Sequence, residues 1–98
     1  MKFERANPDC KFEIPDKITV RQQLAYYSTA AGLPDKKMFE RTWEAAKDLT
    51  RTWDCPLFPD YEKSLDEETD PKIAEILVWA GQQVRQYINS LDVIPKNS

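Results

Sequence analysis

The stretch that most constrains this chain starts at Asp70-Pro71 and continues as "KIAEILVWAGQQVRQYINSL". Aspartate caps a helix well because its carboxylate accepts from the unbonded amides of the first turn, and proline suits the first helical position because its missing amide hydrogen has no intrahelical acceptor there. Beyond the cap, Ile73, Leu77, Ala80, Val84, Tyr87 and Leu91 recur at spacings of four, three, four, three and four, which is a seam of helical period. At about 1.5 Å per residue a helix from Pro71 to Leu91 is roughly 31 Å long, the diameter of a small domain. Ala74, Ile76, Val78 and Trp79 add apolar surface outside that seam, so it nearly encircles the axis. Either the remaining chain wraps this helix, or part of it is kept for a partner.

The chain of 98 residues is enough for one domain with one core. Only two glycines occur, which suits helices joined by connectors better than a sheet needing many tight turns. Thr19-Val20-Arg21-Gln22 fits a capping box and predicts the start of a first helix, with Val20, Leu24, Tyr27 and Ala31 as its apolar stripe and Gly32 and Pro34 as its stop. Asp35 marks a second start, and Phe39, Thr42, Trp43, Ala46, Leu49, Thr50 and Trp53 predict a second helix over about 36–53. The expected fold is mainly α: a single three-helix domain over 1–98, with an extended N-terminal arm (1–17), an acidic connector (54–69) before the last helix, and a polar tail (92–98). Within the arm, Phe12 to Ile14 admits a short extended piece ended by Pro15, and the simpler reading is an irregular arm pinning Phe12 and Ile14 onto the helices.

Charge is unevenly placed. The net value is −3, yet residues 54–72 hold seven acids against two bases, while residues 18–53 hold six bases against four acids. Duplex binding depends on counterion release by clustered Lys and Arg, so an acidic chain without a basic block is not expected to bind nucleic acid. No apolar run approaches the 18 or so residues needed to span a bilayer, so no membrane partner is expected. The start "MKFERANPD" holds no apolar stretch of signal-peptide type, and the expected compartment is the cytoplasm. Cys10 and Cys55 are then expected as free thiols.

The chemistry available is narrow. Histidine is absent, which removes the usual general base near neutral pH, the Ser-His and Cys-His nucleophiles and most zinc sites. Gly32 and Gly81 stand alone, so no phosphate loop can be built. Read as a calcium loop from Asp60, the sixth position is Leu65 where glycine is needed and the twelfth is Pro71 where a bidentate glutamate is needed. No catalytic residue, cofactor or metal site is therefore assigned, and the expectation is a protein that is not an enzyme.

What remains is binding. Ile76, Trp79 and Gln83 lie on a face beside the seam of the last helix, the small pair Ala80-Gly81 permits close approach of another backbone, and Phe58 and Tyr61 are aromatic groups in the connector. These five, Ile76, Trp79, Gln83, Phe58 and Tyr61, are the candidate partner contacts, with core packing as the competing role for Trp79. "LDEETDPKIAEILVWAGQQVRQYINSLDVIPKN", through its "TDPKI" helix entry and "NSLDVIPKN" ending, together with "ITVRQQLAYYS", resembles the small acidic helical proteins of tailed-bacteriophage and prophage tail gene clusters. The resemblance implies a non-enzymatic assembly factor, such as a tail assembly chaperone holding a tail component, in the host cell cytoplasm. It carries no site residues of its own. Two other roles stay open: an acidic nucleic-acid-mimicking inhibitor of a host protein using the acids between Asp54 and Asp70, and a structural subunit forming a homodimer on the last helix.

Overall fold

The computed structural model describes residues 1–31 and 38–91. Its last helix, Pro71–Ser90, starts as the sequence requires: the Asp70 carboxylate accepts from the Lys72 amide at 2.9 Å, with Pro71 in the first turn. A first helix, Val20–Ala31, opens on a complete capping box, in which the Gln22 amide donates to Thr19 Oγ1 at 3.1 Å and the Thr19 amide donates to Gln22 Oε1 at 2.9 Å. A second helix spans Met38–Leu49. In chain order these three are α1, α2 and α3. The expected stop at Gly32 and Pro34, the start at Asp35 and the tail 92–98 lie outside the described residues.

Two sequence expectations are corrected here. The N-terminal arm is not irregular: strands β1 (Lys2–Arg5) and β2 (Cys10–Glu13) form an antiparallel hairpin, and a third strand, β3 (Thr52–Asp54), pairs antiparallel with β2, giving the order β1-β2-β3. The hairpin loop contains a cis Asn7–Pro8 bond and places Asn7 at φ 54, a left-handed conformation that asparagine tolerates. Second, α2 does not reach Trp53. The Thr50 amide is shared between the carbonyls of Ala46 and Lys47, both at 3.1 Å, and its hydroxyl also donates to Ala46 at 2.9 Å. The next amide, Arg51, turns away and donates to the Glu13 carbonyl at 2.9 Å, which delivers Thr52-Trp53-Asp54 to the edge of the sheet. Helix content is as expected in kind, and the small sheet is an addition to it.

Alternation along the strands assigns the two faces of the sheet. Cys10 and Phe12 on β2 are buried and Trp53 on β3 is half-buried, while Lys2, Glu4, Lys11, Thr52 and Asp54 are exposed. Phe12 is the hub of the inward face: its ring lies 4.9 Å from Phe3, 5.6 Å from Trp53 on β3 and 5.5 Å from Trp79 on α3, the last edge-on. Trp53 in turn meets Trp43 of α2 at 5.4 Å and Tyr61 of the connector at 5.7 Å. α2 and α3 therefore meet one side of the sheet through a chain of aromatic contacts.

Between α2 and α3 the backbones approach closely. Gly81 is buried, and a Cβ at that position would stand 3.1 Å from Thr42 Cγ2 and 3.3 Å from the Trp43 amide nitrogen. The small pair Ala80-Gly81 thus admits α2 of the same chain. Of the anticipated seam, Ile73, Leu77, Ala80 and Val84 are buried, Tyr87 is half-buried and Leu91 is exposed. Ile76 and Ile88 widen the seam into the core.

Candidate functional site

The five residues chosen from the sequence as partner contacts do not form one water-facing patch. Ile76 is 0% exposed and Phe58 is 2% exposed, so both are core residues, a correction to their expected role. Phe58 is locked by its own turn: its amide donates to the Cys55 carbonyl at 3.1 Å, and its carbonyl accepts from Trp53 Nε1 at 2.7 Å. Ile76 is enclosed in the core cluster, together with Phe12, Trp43, Phe58, Ala80 and Val84. Trp79 is half-buried, edge-on to Phe12, and the Arg5 guanidinium lies 5.7 Å from its ring centre. Arg5 is itself held by Glu75, Nη2 to Oε1 at 3.3 Å, so the exposed side of Trp79 is partly covered from within the chain. Tyr61 is half-buried on Trp53, and Gln83 is half-buried on α3.

Water-facing apolar surface is found instead on α1. Val20 is 68% exposed and Leu24 60% exposed, and Ala31 on the same stripe is exposed as well. The residue that turns inward is Tyr26, at 4% exposure, with Gln22, Ala30 and Tyr27 half-buried around it. At 100° per residue, the inward direction through Tyr26 lies about two-fifths of a turn from the Val20-Leu24-Ala31 line. The sequence stripe of α1 exists, but it looks outward. At the start of α2, Met38 and Phe39 are 47% and 48% exposed, adding to the apolar surface at this end of the helices.

Where the C-terminal end of α1 meets the start of α2 and the last turns of α3, the molecule has a cleft of about 460 Å³. Tyr26, Tyr27, Ala30 and Ala31 from α1, Met38, Arg41 and Thr42 from α2, and Arg85 and Asn89 from α3 line it. Two interactions shape its rim. Arg41 Nε donates to the Ala30 carbonyl at 3.0 Å, and Arg85 Nη1 lies 3.7 Å from Met38 Sδ. The buried Tyr26 hydroxyl has no hydrogen-bond partner among the described residues. Burial pushes its pKa up from 10.0 to about 12, partly offset by the positive charge of Arg85, so at neutral pH the group is a neutral phenol able to donate.

The connector is a different kind of surface. Asp60, Glu62, Asp66, Glu67 and Asp70 are exposed, Lys63 pairs with Glu68 at 2.6 Å, and Asp60 and Ser64 accept from amides two residues on. These local bonds account for its fold. Among the described residues no group of three or more His, Cys, Asp or Glu is gathered so as to hold a metal ion, and no described helix is long and apolar enough to cross a membrane. Cys10 and Cys55 are both free and buried; desolvation and the neighbouring Cys55 thiol raise the pKa of Cys10 well above its ordinary value. Comparison of the chain with protein-family models, with curated proteins and with solved structures returns no match to any of the three.

Proposed function

We propose that this chain is a non-catalytic protein–protein interaction factor of the cytoplasm that docks a partner protein along the outward face of α1. The carrying observation is the exposure of Val20 and Leu24 at 68% and 60% on a stripe of helical period. Such a stripe normally lies against the core. An apolar helix face left in water at this spacing fits a second amphipathic segment laid along it, with side chains inserting every three or four residues. The surface runs by way of Ala31 and Tyr27 to the cleft beside Met38, which gives it a defined end. The likeness of "ITVRQQLAYYS" and "TDPKI" to proteins of phage tail gene clusters supports a tail component as that partner. The docking element differs from the one the sequence pointed to: Ile76 and Phe58 belong to the core, and α1 makes the contact.

A photo-crosslinking residue at position 24, in cells that carry the gene, tests this directly. One specific heterologous adduct is expected at position 24 and none at position 86, an exposed site on α3. Equal labelling at the two positions, or no adduct at 24, overturns the proposal. An adduct with a second copy of this chain overturns it too, in favour of a homo-oligomeric structural subunit. The exposed acids between Asp60 and Asp70 favour a second reading, an inhibitor imitating nucleic acid. Salt separates the two: a mimic loses affinity steeply as ionic strength rises, whereas apolar docking on α1 changes little.

A further inference from the structure

We infer that Cys10 and Cys55 close a cross-strand disulfide when the chain meets a low-molecular-weight disulfide such as oxidised glutathione, giving the fold a second, covalently braced state. The inference is independent of the docking reading above, since neither cysteine lies on α1.

Strand register sets the two residues opposite each other. β2 and β3 pair Glu13 with Thr52, Phe12 with Trp53 and Lys11 with Asp54, and one step further on the same count Cys10 meets Cys55. Successive side chains alternate between the faces of a strand, so Cys10 shares a face with Phe12, and Cys55 shares one with Trp53. That face is the inward one: the Phe12 and Trp53 rings lie 5.6 Å apart, and both cysteines, each 2% exposed, join them in the core.

Backbone hydrogen bonds fix the kind of pair. The Ile14 amide donates to the Met1 carbonyl at 3.0 Å, and the Glu13 carbonyl accepts from the Arg51 amide at 2.9 Å. Ile14 therefore bonds toward the β1 side and Glu13 toward the β3 side, and alternation along β2 turns Phe12 and Cys10 toward β1 and Lys11 toward β3. The Cys55 carbonyl is occupied elsewhere, accepting from the Phe58 amide at 3.1 Å. Cys10 and Cys55 thus oppose each other as a non-hydrogen-bonded pair, the arrangement with Cα atoms only about 4.5 Å apart and side chains closest. Disulfides span Cα separations of roughly 4.4–6.8 Å, so the strands already stand where the bond needs them. In keeping with this proximity, the Cys55 thiol is one of the neighbours that raise the Cys10 pKa.

Burial shields both thiols from reagents while the fold is closed, so exchange takes place on transiently opened chains and the bond is kept on refolding. One cysteine thiolate attacks a sulfur of the small disulfide RSSR, whose S–S bond breaks and releases RS⁻. The second thiolate attacks the cysteine sulfur of the mixed disulfide, forming the Cys10–Cys55 bond and expelling the other RS⁻. The two cysteines lose two electrons and two protons, and RSSR takes them up to leave as two RSH. A dithiol reductant reverses both steps. The ring so closed joins residues 45 positions apart and fastens the three-residue β3 to the hairpin.

The test is equilibration of the whole chain in glutathione redox buffers, from reduced and from oxidised starting material, once without denaturant and once in urea that unfolds it. Acid quenching, alkylation of the remaining thiols and peptide mass mapping give the fraction bonded. A fold that holds the thiols together favours their bond by the factor by which the bond favours the fold. Formation without denaturant is therefore expected at a ratio of reduced to oxidised glutathione about a hundredfold more reducing than in urea. The oxidised chain is expected to remain monomeric and to unfold at a urea concentration higher by about 1–3 M. Equal midpoints in the two conditions overturn the inference, as do glutathione adducts or chain-to-chain disulfides as the main oxidised product. An oxidised chain that unfolds at the same or lower urea concentration overturns the brace.

Discussion

Gly81 of α3 faces Thr42 of α2 so closely that a Cβ on the glycine would stand 3.1 Å from the threonine methyl and 3.3 Å from its carbonyl carbon. The threonine cannot easily give way, because its hydroxyl donates to the Met38 carbonyl at 2.8 Å. Gly81→Ala would improve helix propensity by roughly 1 kcal/mol, but it must push two packed backbones apart. Overpacking wins, and a net loss of about 1–3 kcal/mol is expected in urea unfolding. An unchanged or higher midpoint would show that the helices separate more freely than this geometry implies.

The outward stripe of α1 makes a paired prediction. Leu24→Ser replaces a side chain 60% exposed, and stability is expected to change by no more than about 0.5 kcal/mol. Ile76→Ala empties a site with 0% exposure and is expected to cost about 2–5 kcal/mol. Denaturant titration of the two variants ranks them. If Leu24→Ser is the more damaging, α1 is turned the other way in solution.

The capping box at Thr19 allows a third test. Thr19→Ala removes the acceptor for the Gln22 amide and is expected to cost about 1 kcal/mol, since α1 buries Tyr26 and little else. Because that attachment is thin, amide exchange should quicken along α1 before it changes in α3. Equal acceleration in both helices would contradict the expectation.

Alkaline pH supplies a fourth. The Cys10 thiol is raised above its ordinary 9.0 and the Tyr26 phenol is raised from 10.0 to about 12, both mainly by burial. In each case the folded state holds its proton longer than the unfolded chain does, so the stabilisation is complete below the unfolded pKa and is lost as pH rises toward the folded value. The urea midpoint should be insensitive to these groups below about pH 9 and fall from there toward pH 12. Tyr26→Phe should flatten the part of that fall above about pH 10, and Cys10→Ala the part that begins lower. For the same reason native Cys10 should alkylate slowly near neutral pH and rapidly once urea unfolds the chain.

Where local chemistry decides the structure, the sequence was legible. Asp70-Pro71 and Thr19 to Gln22 carry their own start signals, and both helices begin there. The end of α2 was hidden because Ala46, Leu49, Thr50 and Trp53 keep helical spacing across the true boundary. What stops the helix is the Glu13 carbonyl, far away in sequence, taking the Arg51 amide. β1 was hidden because Phe3 is its single apolar residue between Lys2 and Glu4, and its strand character depends on pairing with Phe12. The orientation of α1 was misjudged for a different reason. Counting apolar positions favours Val20 and Leu24 over one tyrosine, yet Tyr26 is the residue whose ring the core takes in. Among the candidate contacts on α3, Trp79 was misplaced with the missing strands, since Phe12 of β2 packs edge-on against it, and Ile76 joins the core beside the seam.

A three-stranded sheet leaves both outer strands open to strangers. On β1 the open edge carries charged Lys2 and Glu4 on its solvent side, and β3 is three residues long and soon followed by Pro56, which offers no amide hydrogen. Charge on one flank and brevity on the other discourage neighbouring molecules from adding strands and growing into fibrils. Crowded copies of the chain are thereby discouraged from stacking edge to edge into a growing ribbon.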